Sequence, residues 1–230
     1  MPLLVEIKLL SDTAPGTGEG ELGGIDRSIS HTSTGLPLIP ARRLKGCLRE
    51  AAKELSEALT LSGLEEFARP EQIDQLFGRP GQSFSGWLKL EDGHLQNATK
   101  LESWLDWATK KERTIFGREA VLANFTSLRA QTAMGRLSGG SLPETLRVSR
   151  VINRQLLFRA NLFLEQPPSD KADEIALLNL LALVCAALRR MGLSRNRGLG
   201  EVQVRLMDGE YDLTAEALSR LSQKVEGGSN

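Results

Sequence analysis

Apolar and polar residues alternate with two different periods along this chain, and these periods predict its first strand and first helix. Val5, Ile7 and Leu9 alternate with polar positions over residues 3–10, which is the period-2 pattern of a half-buried strand. Behind Pro40, a residue type suited to the first helical turn, apolar residues recur at spacings of three and four. These residues are Leu44, Leu48, Ala51, Ala52, Leu55, Ala58 and Leu59. We therefore expect a strand, then a loop, then a long amphipathic helix.

Strand patterns return in the second half of the chain. Residues 125–136 and 148–164 contain alternating apolar and polar positions, and the glycine-rich segment 138–143 lies between them. Together they predict a protruding hairpin at about 126–155. Residues 173–190 are apolar nearly all round, which predicts a helix that is covered on most sides.

A final strand is predicted at 202–206, which completes the order strand, helix, strand, strand, helix, strand. This order is the ferredoxin-like plan, an α/β architecture that RNA-recognition modules share. We expect a single domain over 1–230. Residues 61–120 are expected to form an insertion, with a strand near 86–91 and a helix near 104–116.

Composition is ordinary for a globular protein and gives the chain no overall charge. Of its 230 residues 40% are apolar and 25% are charged, with 29 cationic and 29 anionic side chains. Zero net charge leaves open a protein-interaction module that makes no RNA contact. A neutral protein can nevertheless carry a basic groove, so the distribution of the charges has to decide.

Cellular location is inferred from the cysteines and from hydropathy. Cys47 and Cys185 lie far apart in apolar helical contexts, which favours buried free thiols over a disulfide or a zinc pair. The charge-free run 175–188 is shorter than the roughly 20 residues that span a bilayer. No signal peptide is recognised, so we expect a cytoplasmic protein that makes no membrane contact.

The first basic motif lies at the start of the predicted helix, in residues 36–49. Arg42, Arg43 and Lys45 occupy its first turn, where the helix dipole disfavours each cation by roughly 0.3–1 kcal/mol. Cations at an unfavourable position indicate a ligand, and helix-terminal amides together with these side chains are suited to phosphate. The alternative is a solvated basic face that pairs with glutamates further along the helix.

The second basic motif is the glycine-rich segment 192–200. Its glycines permit left-handed backbone and close approach of a ligand. Four arginines crowd the same part of the chain: Arg189, Arg190, Arg195 and Arg197. A turn after a glycine-terminated helix explains Gly192 but not these arginines. Within this segment neither GxGxxG nor a P-loop occurs, and a strand follows it where such motifs have a helix, so a polyanion is favoured over a nucleotide cofactor.

Arginines are also spread along the predicted hairpin. They are Arg129, Arg136, Arg147, Arg150 and Arg154. Such arginines either follow a nucleic-acid backbone or keep a surface strand soluble, and the sequence leaves both roles open. Aromatic residues make up 5% of the chain, which argues against a platform that stacks several bases. We expect contacts to phosphate and sugar, without sequence specificity from the protein alone.

Few residues could carry out hydrolysis. His31 and His94 are the two histidines, and no zinc motif or Ser-His-Asp arrangement is recognisable. Asp26 lies in a glycine-preceded loop. Its carboxylate could hold hydrated Mg²⁺ or another divalent cation, or orient a ribose 2′-hydroxyl for in-line attack on its own phosphodiester. From the residues alone, a turn role for Asp26 is favoured.

Both basic motifs resemble signatures of one family. Residues 39–49, Ile-Pro-Ala-Arg-Arg-Leu-Lys-Gly-Cys-Leu-Arg, resemble the "IPGSSLKGxLR" signature of the RAMP superfamily of CRISPR effector proteins. Residues 195–200 resemble the C-terminal glycine-rich loop of that superfamily. The match extends to 23–26, 76–78 and 126–136.

Within that superfamily the chain is most similar to a repeating-backbone subunit of a type III complex. The resemblance implies subunits that polymerise along a guide CRISPR RNA with other effector subunits, including copies of themselves. It also implies a hairpin thumb between guide and target bases, and cleavage of target RNA by a loop aspartate, whose position Asp26 holds. Ala41-Arg42-Arg43 replaces the usual Gly-Ser-Ser, which preserves an anion site but alters the backbone contact. No HD or GGDD motif of the large signalling subunit occurs.

Residues and resemblance together assign a set of expected roles. Asp26 is the expected catalytic residue of a metal-dependent endoribonuclease, with a divalent cation held through water. The expected RNA contacts are Arg42, Arg43, Lys45, Arg49, Arg129, Arg136, Arg195, Arg197, Gly198 and Gly200. Two alternatives stay open within the superfamily. One is a structural subunit in which Asp26 is not catalytic, and the other is a guide-processing ribonuclease with His31 as general base.

Overall fold

The computed structural model of this chain describes most of its residues and contains a mixture of strands and helices. The described residues are 3–16, 26–79, 81, 86–132, 146–165, 168 and 170–227. The strands are β1 (Leu3–Leu9), β2 (Leu38–Ile39), β3 (Leu88–Leu90), β4 (Gly93–Leu95), β5 (Thr126–Gln131), β6 (Arg147–Ile152), β7 (Leu157–Leu164), β8 (Val202–Asp208) and β9 (Tyr211–Asp212). The α-helices are α1 (Ala41–Leu61), α2 (Pro70–Phe77), α3 (Ala98–Lys111), α4 (Arg113–Phe116), α5 (Arg118–Phe125), α6 (Lys171–Ala187) and α7 (Leu213–Gly227).

The central sheet is antiparallel and is built around β1. Within the described residues it contains seven strands, in the order β2-β4-β7-β1-β8-β9, with β3 also paired to β7. β1 is antiparallel to β7 on one side and to β8 on the other, so that Val5 lies between Ala160 and Leu206. The order β8-β1-β7 followed by β4 and β3 is that of a ferredoxin-like sheet. The predicted α/β fold class is confirmed.

The hydrophobic core lies between this sheet and the helices α1 and α6. Val5, Ile7 and Leu9 of β1 are fully buried, as their period-2 pattern predicted, and so are Leu44 and Leu48 of α1. α1 and α6 pack against each other, and α6 also contacts β8. Burial of one such aliphatic side chain stabilises the fold by about 1.5–3 kcal/mol, so these faces hold the helices firmly on the sheet.

The stretch predicted as an insertion supplies part of the central sheet. The predicted strand near 86–91 is present as β3, and β3 and β4 both pair with β7. The sequence order counted 125–136 as the second core strand, and this was incorrect, because that segment contains β5 of a separate sheet. The reason is burial. Leu88 and Leu95 face the core, whereas β5 buries Thr126 and leaves its middle exposed.

β5 and β6 form a two-stranded antiparallel hairpin of their own. Thr126 pairs with Ile152 at its base, and the segment 138–143 lies outside the described residues. The stretch 148–164 was predicted as one extended segment, but it is divided between β6 and β7. Gln155 has a positive φ of 70° between them, so the chain turns there.

Two further segments join the base of the hairpin and connect it to the body of the protein. Thr13 exchanges two backbone hydrogen bonds with Ile152, of 2.9 and 2.7 Å. Arg27 forms a parallel bridge with Ser149, and its carbonyl accepts a hydrogen bond from the Arg150 amide at 2.9 Å. β6 is therefore held on the side of the central sheet by the residues around Thr13 and Arg27.

Both cysteines are free thiols, as the sequence predicted. Cys185 is buried in α6, and burial raises its pKa to about 12. Cys47 is half-buried on α1. As for hydropathy, no helix in the described part of the chain has the length and apolar character needed to cross a membrane.

Candidate functional site

An open groove of about 1030 Å³ lies between α1, the segment that follows α6 and the base of the β5–β6 hairpin. Six arginines and two glutamates line it, which gives a formal net charge of +4 on a chain whose own net charge is zero. They are Arg27, Arg147, Arg189, Arg190, Arg195, Arg197, Glu50 and Glu54. We call this surface the basic groove. A concave surface of one sign focuses the electrostatic field and attracts polyanions.

Three arginines of the basic groove come from distant parts of the chain. Arg27 precedes the loop to β2, Arg147 begins β6, and Arg197 belongs to the glycine-rich segment 192–200. Among the described residues, no carboxylate lies within ion-pair distance of these three guanidinium groups. They are therefore available to an external anion, which Arg can bind with two parallel hydrogen bonds.

Sequence reasoning did not include Arg27 among the RNA contacts, and it noted Arg147 only as one of several hairpin arginines. The position of Arg27 depends on its pairing with Ser149, and nothing in the neighbouring residues predicts that pairing. For Arg147 a signal exists. Arg147 and Ser149 are two residues apart on one strand, so they share a face, and both line the basic groove.

The glycine-rich segment forms one wall of the basic groove. Residues 195–197 make a single 3₁₀ turn, which Gly198 ends with a left-handed φ of 76°. A Cβ on Gly198 would meet open space, whereas a Cβ on Gly200 would lie 2.1 Å from the carbonyl oxygen of Met191. The Gly200 amide donates to the Asp12 carbonyl at 2.9 Å, and its own carbonyl accepts from Met191. Gly200 thus serves close packing of the loop, and Gly198 serves its turn.

Arg195 joins this wall to α1 through an ion pair. Its guanidinium donates to both carboxylate oxygens of Glu50, at 3.1 and 3.3 Å. The hydrogen bond with Glu50 raises the pKa of Arg195 above its ordinary value. Arg190 also donates to the Arg195 carbonyl at 2.8 Å. The loop is therefore held against α1 by contacts within the protein, and Glu50 already neutralises Arg195.

The start of α1, which the sequence predicted as an anion site, already has an anion from the protein. The amide of Ala41 donates to the Asp92 carboxylate at 2.7 Å, from the turn between β3 and β4. Arg42 and Arg43 are exposed on the same first turn. Asp92 therefore occupies one of the terminal amides that the sequence assigned to a phosphate, while the anion site at Arg42 and Arg43 stays a prediction.

The basic residues of α1 lie on two different faces. Arg43 shares a helical face with Glu50 and Glu54, which line the basic groove. Lys45 and Arg49 lie on another face, and the Lys45 ammonium donates to the Leu88 carbonyl on β3 at 2.7 Å. Burial, with the nearby charges of Lys89 and Arg49, lowers the pKa of Lys45. The structure brings Arg43 toward the basic groove but does not bring Lys45 or Arg49 there.

A carboxylate ties the hairpin to the end of β1. One oxygen of Asp12 accepts from the Arg129 guanidinium, and the other accepts from the Arg154 amide at 3.0 Å. Partial burial raises the pKa of Asp12, but these hydrogen bonds outweigh it and hold the pKa below its ordinary value. We call these three residues the Asp12 clamp. Arg129 therefore has a partner, and Arg136, another predicted contact, lies outside the described residues.

Asp26, the predicted catalytic residue, is exposed beside the hairpin base. Its carboxylate accepts a hydrogen bond from the Val148 amide at 2.6 Å, and its own amide donates to the Val148 carbonyl at 2.9 Å. The next residue, Arg27, lines the basic groove. Asp26 is thus held in one orientation at the edge of the groove, and no described residue forms a hydrogen bond or an ion pair with its remaining oxygen.

Metal binding at Asp26 is limited by the number of ligands. Among the residues that the structure describes, no group of three or more His, Cys, Asp or Glu side chains is placed to hold a metal ion. Mg²⁺ keeps several waters and is usually bound by one or two carboxylates together with substrate phosphates. Asp26 fits that water-mediated arrangement, which needs the RNA to complete it.

Comparisons with known proteins agree with this architecture. A chain of the type III-B Cmr-beta complex bound to cognate target RNA superposes with a TM-score of 0.62 at 12% identity, covering 90% of this chain and 97% of that one. A chain of the apo Cmr-beta complex gives 0.64 at 13% identity, covering 90% and 98%. Oligomeric Cmr4 from Pyrococcus furiosus gives 0.51 at 14% identity, covering 93% and 99%.

These structural similarities concern the fold, since the sequences have diverged widely. No similarity to a curated protein sequence was found. The family model of the RAMP superfamily matches residues 6–203, which extend from β1 to the start of β8 and include the whole basic groove. The chain belongs to the RAMP superfamily.

Proposed function

We propose that this chain is an RNA-binding backbone subunit of a type III CRISPR effector complex, which holds a guide RNA and cleaves complementary target RNA through Asp26. The observation that carries the proposal is the basic groove, where Arg27, Arg147 and Arg197 converge without carboxylate partners among the described residues. Membership of the RAMP superfamily and the fold shared with Cmr subunits support the same proposal.

The basic groove would hold the guide by its phosphates. Arg27, Arg147 and Arg197 would each bind phosphate oxygens, and none of these contacts depends on the identity of a base. Such binding suits a subunit that must accept any guide sequence, because base pairing with the target supplies the specificity. Other effector subunits, including copies of this chain, would occupy neighbouring positions on the same RNA in the cytoplasm.

Asp26 would act on the target strand at the edge of the groove. The Val148 amide fixes one carboxylate oxygen of Asp26. The other carboxylate oxygen would accept the proton of a ribose 2′-hydroxyl while the 2′-oxygen attacks the adjacent phosphorus. The bond from phosphorus to the 5′-oxygen breaks, which leaves a 2′,3′-cyclic phosphate. The departing 5′-oxygen takes a proton from water, and Asp26 returns its proton to that water. A divalent cation held by Asp26 through water would neutralise charge on the phosphate.

The experiment is cleavage of guide-complementary RNA by assembled complex that contains Asp26→Ala or Asp26→Asn. Cleavage is expected to fall by about 10²–10⁴-fold, the usual contribution of a general base. RNA affinity should stay unchanged, because Asp26 does not line the basic groove. Asp106→Ala, which removes an exposed carboxylate from α3, is the matched control. Undiminished cleavage at every site by the Asp26 variants would contradict the catalytic role and favour a structural subunit in which Asp26 is not catalytic.

The same preparation separates the other interpretations. A guide-processing ribonuclease predicts metal-free cleavage of precursor by the isolated protein, lost in His31→Ala. In the structure His31 is half-buried, and its Nδ1 donates to the Thr32 carbonyl at 2.9 Å. A protein-interaction module predicts RNA binding that stays flat from low to high salt, whereas phosphate neutralisation gives a steep slope.

A further inference from the structure

α3 carries an exposed stripe of two tryptophans between two lysines. Lys100, Trp104, Trp107 and Lys111 follow one another at spacings of four, three and four, so their side chains share one face of the helix. Trp104 is 47% exposed, Trp107 is 59% exposed, and both lysines are exposed. We call these four residues the tryptophan stripe. Exposed large apolar groups that lie together mark a binding surface.

The charges around the tryptophan stripe favour a polyanion as its partner. The acidic residues Glu102 and Asp106 lie about 130–170° around the helix from the stripe, at 3.6 residues per turn. No carboxylate among the described residues pairs with Lys100 or Lys111. Both ends of the stripe are therefore cationic and its centre is aromatic, which is the arrangement that binds phosphates and stacks bases.

The geometry of the stripe matches a short length of single-stranded nucleic acid. Lys100 and Lys111 are about 16 Å apart along the helix axis, at 1.5 Å per residue. This distance leaves room for two stacked bases on the tryptophans and a phosphate at each end. The Trp104 ring is held edge-to-face against Phe116, with centroids 5.2 Å apart, so it is preorganised for stacking.

We propose that the tryptophan stripe is a second binding site for single-stranded RNA, separate from the basic groove. None of its residues lines that groove. The low aromatic content of the chain argued against a stacking platform, but that average conceals that two of its three tryptophans lie on one helical face. The stripe binds bases by stacking, whereas the groove binds phosphates, and neither contact depends on sequence.

Tryptophan fluorescence of the full-length chain, titrated with a single-stranded oligoadenylate, tests the proposal. Stacked bases are expected to quench the indole emission. Trp107→Leu should lose most of the quenching and bind on the order of tenfold more weakly. The double variant K100A/K111A should reduce the slope of log affinity against log salt by about 1.4, at 0.7 per phosphate. Leu61→Ala, at an apolar residue of α1 that is 90% exposed, is the matched control and should change neither.

Groove variants separate this site from the proposed function. A chain with Arg27, Arg147 and Arg197 replaced by Ala should bind more weakly but still show quenching that depends on Trp107 at saturating oligoadenylate. Unchanged indole emission of the wild-type chain at saturating oligoadenylate would overturn the proposal that the tryptophan stripe binds RNA, and would not affect the proposal that the basic groove does. Emission that changes with protein concentration alone, with a larger species in sedimentation that Trp107→Leu abolishes, would also overturn it and assign the stripe to a second copy.

Discussion

Two groups of arginines lie near the base of the β5–β6 hairpin, and they differ in what neutralises them. In the Asp12 clamp, a carboxylate of the protein accepts from the Arg129 guanidinium and from the Arg154 amide. In the basic groove, Arg27, Arg147 and Arg197 have no carboxylate at ion-pair distance among the described residues. The clamp therefore connects the hairpin to the end of β1, while the groove keeps three arginines that no described carboxylate neutralises.

The start of α1 resembles the clamp in this respect. Asp92 accepts from the Ala41 amide, and the Leu88 carbonyl accepts from Lys45, so the protein itself supplies partners for two groups of this motif. A cation that is already paired must give up that partner before it binds a ligand, which reduces its net contribution to affinity. Basic residues of one motif are thus expected to contribute unequally to ligand affinity, according to whether each is already paired within the protein.

The largest effect expected from this difference is on RNA affinity. Replacement of Arg27, Arg147 and Arg197 by Ala should weaken binding of a single-stranded oligoribonucleotide about a hundredfold, at roughly 1 kcal/mol for each exposed charged contact. The slope of log affinity against log salt should fall by about 2, because three phosphate contacts are lost at 0.7 each. Fluorescence anisotropy across a range of salt concentrations measures both.

The matched control removes the same charge from cations that have partners. The sequence predicted RNA contacts at Lys45, Arg129 and Arg195, and these remain predictions. Each of the three side chains donates a hydrogen bond to another group of the protein. Their replacement by Ala should cost less than tenfold in affinity, with a smaller change of salt slope. Equal losses in the two triple variants would show that pairing within the protein does not determine how much a cation contributes to RNA binding.

A second prediction concerns the clamp. Asp12→Asn should reduce the free energy of unfolding at pH 7 by about 1–2 kcal/mol, because the side chain loses the negative charge that pairs with Arg129 and keeps one acceptor oxygen for two donors. The pKa of Asp12 is depressed in the folded protein, so its stabilisation is complete above the ordinary value of 3.8. It is lost as the pH falls through the lower folded pKa. Urea unfolding of both proteins at pH 7 and at pH 3 measures the difference.

The outcome at acid pH decides the interpretation of the clamp. The gap between wild type and Asp12→Asn should shrink below pH 3.8, whereas Asp106→Asn, at an exposed aspartate of α3, should match wild type at both pH values. A gap that is the same at pH 7 and pH 3 would mean that packing, and not the charge of Asp12, holds the hairpin.

Local patterns predicted the parts of the fold that local physics determines. Val5, Ile7 and Leu9 alternate because β1 lies in the centre of the sheet, and the three-and-four spacing behind Pro40 follows the buried face of α1. A strand was predicted at β3, but it was not counted as the second core strand, because β3 and β4 are three residues long and the period-2 pattern at 125–136 is longer. The shortness of these two strands therefore limited the prediction of the strand order.

The candidate site could be predicted only in part, for a different reason. Resemblance to a family signature indicated Asp26, and the arginine density indicated Arg197, since both are properties of short segments. Arg27 joins the site through pairing with Ser149, and Asp92 reaches the start of α1 across the β3–β4 turn. These contacts join residues that are distant in sequence, and they determine which cations are paired.

A third prediction tests the start of α1. Asp92→Ala removes the acceptor of the Ala41 amide and should reduce the free energy of unfolding by about 1 kcal/mol, the usual effect of losing a helix cap. It also leaves the helix terminus open to an external anion. Oligoribonucleotide affinity should therefore rise slightly if Arg42 and Arg43 then share a phosphate. A more stable Asp92→Ala protein would contradict the capping role.

The smallest effect separates pairing from charge within the basic groove itself. Glu50→Gln and Glu54→Gln each remove one negative charge from the groove, but only Glu50 pairs with Arg195 among the described residues. Glu54→Gln should raise oligoribonucleotide affinity by about twofold through charge alone. Glu50→Gln should raise it further, to about fivefold, because Arg195 becomes available to phosphate. The free energy of unfolding of Glu50→Gln should be lower than that of the wild type by less than about 1 kcal/mol, as for other exposed ion pairs.

The opposite order of affinities would contradict this view of the ion pair. If Glu50→Gln binds RNA more weakly than Glu54→Gln, the ion pair with Arg195 holds the glycine-rich wall in its binding conformation. Pairing within the protein then assists RNA binding instead of competing with it.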